Sequence, residues 1–172
     1  MKEQSIQEKK REAATDLERI RNHPLFQQAY KRLEKAEKER IFCCHQMDHL
    51  LDVARIAYIQ NLEQGLGFSK EMIYATALLH DIGKASQYEE QVPHEIASEE
   101  LAEIILQETH FTEEEKQQIL QAIRGHRKMR EEMTTFEWLL YTSDKKSRLC
   151  FACSAEAECN WSLDKKNMEI EI

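Results

Sequence analysis

Glycine and proline are scarce in this chain, with four and two among 172 residues. Glu, Lys, Gln, Ala and Leu are abundant beside them, which favours helices over a sheet: these residues propagate helices, whereas Gly and Pro interrupt them. No strand pattern competes, and no internal repeat is present. Long apolar runs are missing as well. None approaches the roughly 18 residues that a membrane span needs, and the charged N-terminal stretch lacks the apolar core of a signal peptide. The expected location is therefore cytoplasmic, with no membrane partner. Excess positive charge is also lacking: 24 Lys and Arg face 32 Asp and Glu, for a net charge of −8. Nucleic-acid phosphates would be repelled unless a basic patch were segregated, so no nucleic-acid partner is expected. In a cytoplasmic protein the five Cys read as thiols or metal ligands rather than disulfides.

What is present is a string of helices long enough to enclose a substantial single-domain core. A charged helix is expected from about Ser5 to Arg21, with a narrow apolar stripe of Ile6, Ala13, Leu17 and Ile20. Pro24 suits the first turn of a second helix near Leu25–Arg40. In a third, from about Gln46 to Glu63, Leu50, Val53, Ala54, Ala57 and Tyr58 recur at three- and four-residue steps. Gly65 and Gly67 end it. Ser69 caps a fourth helix that ends near His80-Asp81, and a loop containing Pro93 follows. A helix around His94–Gln107 carries Ile96, Leu101, Ile104 and Ile105. Thr112 and Glu115 form a capping box for a helix to about Arg124, with Gly125 as its stop. The last helix spans about Thr135–Lys146, with Phe136, Leu139, Leu140 and Tyr141 apolar.

The apolar run Ile73–Leu79 ends on His80-Asp81, a poor finish for a core helix. Buried polar groups need partners, and a divalent cation would satisfy an imidazole and a carboxylate together. The dipeptide by itself occurs by chance in many proteins. Here it is joined by His49, His94, His126 and Asp144, each where a predicted helix meets a loop or one turn from an apolar contact. Asp144 lies one turn past Leu140, and His49 one turn before Val53. These six side chains are the candidate metal ligands.

Their order resembles the HD-domain superfamily of metal-dependent phosphohydrolases, which runs His, then His-Asp, then a distant Asp. The matching segments are Asp48-His49-Leu50-Leu51-Asp52-Val53-Ala54-Arg55, Leu78-Leu79-His80-Asp81-Ile82-Gly83-Lys84 and Tyr141-Thr142-Ser143-Asp144-Lys145-Lys146. The resemblance covers about Ile41 to Arg148. It implies an all-α, single-domain helical bundle in which residues 41–148 form the metal-binding domain. Residues 1–40 would be charged helices packed on that domain or extending from it, and 149–172 a Cys-containing tail.

The same resemblance implies one metal held by His49, His80, Asp81 and Asp144. Branches of the superfamily with two further His hold a second metal, and His94 and His126 occupy the matching places. Asp81 would then bridge two ions about 3.5–4 Å apart, which activate water and neutralise a phosphate under attack. Imidazole and carboxylate suit Fe, Mn, Zn, Co or Ni without choosing among them. Asp81 and Lys84 are the candidate catalytic residues. Lys84, one turn from the His-Asp pair, would hold substrate phosphate or stand as a solvated loop lysine, and Lys145 and Arg148 are further candidates for that contact.

His45, four residues before His49, is an alternative first ligand if the helix starts early enough. The Val53-Ala54-Arg55 run matches the family better after His49, so His45 is expected behind the ligands or facing substrate. His23 and His110 stand outside the pattern and are expected at the surface. Cys150-x2-Cys153-x5-Cys159, with Cys43 or Cys44, could build a structural zinc site, hold an iron–sulfur cluster, or remain ordinary thiols.

The leading functional expectation is hydrolysis of a phosphate ester or anhydride, with a nucleotide or similar small molecule as substrate. Two alternatives are a diiron oxygenase of the same superfamily and a non-enzymatic metal-dependent sensor or scaffold.

Overall fold

Side-chain caps start five of the helices that arrange this chain. In the computed structural model, which describes residues 14–170, Thr15 caps α1 (Asp16–Asn22) and the His23 ring caps α2 (Pro24–Ala36). Ser69 accepts from the Met72 N–H to open α4 (Lys70–Leu79), which follows α3 (Met47–Glu63). Capping boxes at Thr112/Glu115 and Thr134/Glu137 open α7 (Glu113–Gly125) and α8 (Thr135–Lys146). Between them lie α5 (Lys84–Glu90) and α6 (His94–Leu106). A single 3-10 turn, Cys150–Ala152, follows α8. The fold is all-α, with no strand among the described residues. None of these helices is long and apolar enough to cross a membrane.

Helix α3 packs on α4 and α8, α7 on α6 and α8, and α5 on α6. The core is where their apolar faces meet: Leu50, Val53, Ala54 and Ala57 of α3, Ala77 and Leu78 of α4, Ile105 and Leu106 of α6, Ile119 and Ile123 of α7, and Leu139 and Leu140 of α8. Each fully buried large side chain stabilises by about 1.5–3 kcal/mol, while the alanines let α3 and α4 approach closely. Ile20 of α1 and Phe26 of α2 are fully buried in the same core, so these charged helices expose one face and bury the other. Ile6 and Ala13 of the expected first helix lie outside the described residues.

Several expectations are corrected here. The second helix stops at Ala36, short of Arg40. The segment before Pro93 is not simply a loop, because Lys84–Glu90 is helical and ends on Gln91 at φ 60°, a left-handed residue that reverses the chain into α6. Gly65 and Gly67 end α3 with φ of 62° and 82° as expected. Gly125 is the last residue of α7, and a Cβ there would meet the Glu137 Oε1 at 2.5 Å. No positive φ is involved, and the atoms a Cβ would meet are the ends of the Glu137 and Arg130 side chains; the helix stops there as expected. His23 is buried, its Nδ1 accepting from the Leu25 N–H at 3.1 Å; His110 is exposed beside Asp16.

Candidate metal centre

Four imidazoles are held by one nitrogen so that the other faces a common point. His80 ends α4 and His126 ends α7, and each turns its Nδ1 back to the carbonyl three residues earlier, Ala77 at 2.7 Å and Ile123 at 2.6 Å. His94, the first residue of α6, places Nδ1 2.5 Å from the Gln87 Oε1 of α5. His49, in the first turn of α3, has Nδ1 3.1 Å from the Ser147 Oγ, whose own hydroxyl donates to the Asp144 carbonyl at 2.7 Å. With Nδ1 donating in each ring, Nε2 is the nitrogen that faces the cluster, and ring orientation is set from outside; at His49 a metal would take the lone pair that now faces the Arg148 guanidinium.

The carboxylate of Asp81 stands between two groups. Its Oδ2 lies 3.3 Å from His49 Nε2 and 3.1 Å from His80 Nε2. Its Oδ1 lies 3.4 Å from His94 Nε2 and 3.5 Å from His126 Nε2. Asp144 Oδ1 completes the first group, 3.2 Å from His49 Nε2. Two sets of ligand atoms result, each with all members within 4.8 Å of one another: His49, His80, Asp81 and Asp144, and Asp81, His94 and His126. All six residues are buried.

This donor set fits divalent metal. His80 Nε2, Asp81 Oδ1 and Asp144 Oδ1 are buried without a hydrogen-bond partner, a costly arrangement that a cation would relieve. His94 Nε2 and His126 Nε2 face each other at 3.2 Å, which brings two lone pairs together unless a proton or metal lies between them. Burial alone would raise Asp81 and Asp144. For Asp81 the opposing charge of His80 wins, and for Asp144 that of Lys145, so both carboxyls sit well below the usual range. Burial works against charge on His80, but Asp81 and Asp144 outweigh it and lift that imidazole to about 10. His94 goes the other way, since burial takes it down to about 2 and keeps it neutral.

The other predicted residues divide. Lys84 opens α5 with its Nζ 3.5 Å from His94 Nδ1, and burial lowers its pKa. His45 precedes α3, so it does not share a helical face with His49 and belongs to neither ligand set. Its Nδ1 lies 2.5 Å from Glu37 Oε1, and burial lowers it to about 4, so the ring is neutral and donates to the carboxylate. The Arg148 Nη2 reaches His49 Nε2 at 3.0 Å and Nη1 holds the Cys44 carbonyl at 2.8 Å. Lys145 binds Asp144 Oδ2 at 2.5 Å and lies over the Tyr141 and Trp161 rings.

Lys84, His45 and Arg148 line one cavity of about 380 Å³, together with Arg40, Lys166, Cys43, Cys150, Cys153 and Cys159. Sequence reasoning missed Gln87, Ser147, Glu37 and Tyr88, whose hydroxyl also donates to Glu37. Nothing in their spacing marks them. The turn-back of His80 and His126 was open to inference, since any His ending a helix has the i−3 carbonyl within reach.

The HD domain family profile matches residues 47–158, a span that contains all six ligand candidates. The chain belongs to the HD-domain family. An uncharacterised protein of Clostridium beijerinckii is 53% identical over 140 residues, covering 81% of this chain and 88% of that one. The crystal structure of a predicted HD superfamily hydrolase from an uncultured Thermotogales bacterium superposes with a TM-score of 0.59 at 20% identity, over 83% of this chain and 81% of that one. That likeness is one of fold. The His/Asp cluster of this HD protein is of a kind that can hold a divalent ion.

Proposed function

We propose that this HD protein is a phosphohydrolase that uses one or two divalent metal ions to cleave a nucleotide or another small phosphate ester or anhydride. The observation that carries this reading is the cavity beside the His/Asp cluster. Arg40, Lys84 and Arg148 line it, with Lys166 paired to Glu156 at 2.6 Å and Glu158 the remaining acid, in a chain whose net charge is −8. Segregating cations at one cavity focuses a field that draws in anions, and its size suits a small molecule rather than a polymer.

His49, His80, Asp81 and Asp144 would hold one ion, and Asp81, His94 and His126 the other. Such ions lower the pKa of bound water towards neutrality and offset charge on the phosphate under attack. The chain's own residues supply the rest. Lys84, one turn past Asp81, binds a phosphate oxygen. Arg148 spans from the Cys44 carbonyl to the ligands and sets the substrate's depth. Lys145 holds Asp144 in its ligand orientation. Glu37 fixes the neutral His45 ring at the cavity wall.

The test is reconstitution with Mn, Fe, Co, Ni or Zn, followed by assay of nucleotides and generic phosphate esters. Hydrolysis should require metal and stop on chelation. Lys84→Ala should lower kcat/KM on the order of 10²-fold, the effect of losing one charge-stabilising donor, with metal content unchanged. Hydrolysis with no metal at all, or iron-dependent oxygen uptake in place of hydrolysis, would overturn the reading, the latter in favour of the diiron oxygenase.

Metal binding should depend on pH. In the metal-free chain His80 keeps its proton up to about pH 10, and Nε2 must lose that proton to ligate. Affinity should rise by about tenfold per pH unit between about pH 6 and pH 9, with about one proton released per ion. Competition against a chelator at several pH values measures this slope, and a flat profile would contradict the assignment of His80.

A further inference from the structure

The tail after α8 has little to hold it by packing. Among the apolar residues of 149–170, only Cys150 and Ala155 are buried, while Leu149, Phe151, Leu163, Met168 and Ile170 are exposed. Its backbone runs in single turns, with Cys153 N–H on the Cys150 carbonyl, Glu156 N–H on that of Cys153 and Cys159 N–H on that of Glu156, each at 3.2 Å. Asn167 ties it to the carbonyls of Lys146 and Arg148. A hydrogen bond stabilises by only about 1 kcal/mol net, and ordering one residue costs about as much or more. Lys166 Nζ adds bonds to the Glu156 carbonyl at 3.1 Å and carboxylate at 2.6 Å, Phe151 N–H donates to the Asn167 carbonyl at 3.1 Å, and Lys145 lies over the Trp161 ring, so polar contacts rather than an apolar core hold the segment.

The turns bring Cys150, Cys153 and Cys159 to the wall of the same cavity as Cys43, which precedes α3. Burial raises the Cys43 thiol, Arg148 opposes this, and charge on Cys150, Cys153 or Cys159 would raise it further, so the four thiols lie within electrostatic reach of one another. Cys44 does not line this cavity; its thiol points to the Phe42 carbonyl at 3.7 Å. Among the described residues the groups of three or more ligand atoms within 4.8 Å are the two His/Asp sets, so no three of these sulfurs come that close. A tetrahedral zinc, with Zn–S bonds of about 2.3 Å, requires sulfurs about 3.8 Å apart. A [4Fe–4S] cluster attaches each of four cysteines to a different iron and holds the sulfurs farther apart than a single zinc does.

We propose that Cys43, Cys150, Cys153 and Cys159 hold a [4Fe–4S] cluster, separate from the His/Asp centre and forming one wall of the cavity. Arg148 on the same cavity, whose charge favours the Cys43 thiolate, offsets part of the negative charge that four thiolates bring. Cluster binding would add to the contacts that hold the tail, because metal–ligand free energy is also folding free energy.

The experiment is iron and acid-labile sulfide analysis of the full chain purified anaerobically. Sulfide reports this site alone, because the His/Asp centre has no place for it, so its result stands apart from any result on hydrolysis. We expect about four sulfides per chain, with a visible absorption that bleaches on reduction. Asp81→Ala and Cys44→Ser should keep the sulfide, and Cys153→Ser should lose it. Wild-type protein without sulfide overturns the proposal, whether it gives five titratable thiols or holds a zinc ion that Cys153→Ser releases. Because sulfide is measured on the wild type, the outcome does not depend on any variant folding.

Discussion

Asp81→Ala should leave the His/Asp centre without metal and reduce hydrolysis on the order of a thousandfold or more, the rate equivalent of several kcal/mol of lost charge stabilisation. The reason is geometric. Asp81 is common to both ligand sets, with Oδ2 facing His49 and His80 and Oδ1 facing His94 and His126. Its removal takes a ligand from each position and leaves Asp144 as the one carboxylate among the remaining ligands to balance a cation. His94→Ala or His126→Ala should act on one position only, leaving about one ion per chain if two are bound in the wild type. Elemental analysis of the three variants, each purified without chelator and checked for helicity by circular dichroism, separates these outcomes. Wild-type metal content in Asp81→Ala would refute the shared-ligand arrangement.

Gly83→Ala should lower stability by about 3 kcal/mol or more, because a Cβ there would overpack and also strand a buried bond. That Cβ would lie 2.4 Å from the Ser98 backbone nitrogen and 2.7 Å from the carbonyl carbon and Cβ of Ala97, and main chain cannot yield as a flexible side chain does. The Gly83 N–H also donates to the buried Ser98 Oγ at 2.9 Å. For a chain of this size, with about 2–4 °C of Tm per kcal/mol, the midpoint should fall by about 10 °C. The consequence reaches the site, since Gly83 lies between His80-Asp81 and Lys84, and Ser98 lies one turn beyond His94 on α6. Forcing these segments apart should weaken metal retention at the position that uses His94 and His126. Gly65→Ala is the control: nothing lies within 4 Å of its Cβ, and only φ at 62° opposes the substitution, so about 1 kcal/mol is expected. Equal melting temperatures for the two variants would refute the packing argument.

Local chemistry decided what was legible in the sequence. Ser69 and the Thr112/Glu115 pair mark helix starts because they bond to N–H groups two or three residues away, and α4 and α7 begin there. The apolar recurrence of α3 and α8 follows the helical period, and both helices match expectation to within a residue. Helix α5 was missed because its seven residues are too few to repeat a period, and docking on α6 holds it. His23 was misplaced for a similar reason: its burial depends on which helices fold over it.

The six His and Asp candidates, their order along the chain and their positions near helix ends were all in the sequence, because ligand chemistry belongs to residue type and helix ends are set by nearest neighbours. Only the tertiary structure decided how they meet. It divided the two oxygens of Asp81 between two pairs of imidazoles, and it recruited Gln87 and Ser147 to orient His94 and His49. It also turned Cys43 rather than Cys44 towards the tail cysteines, and collected Arg40, Lys84, Arg148 and Lys166 on one cavity of an acidic chain. Each of these depends on the relative placement of elements tens of residues apart, and that placement is set by how whole apolar faces pack together.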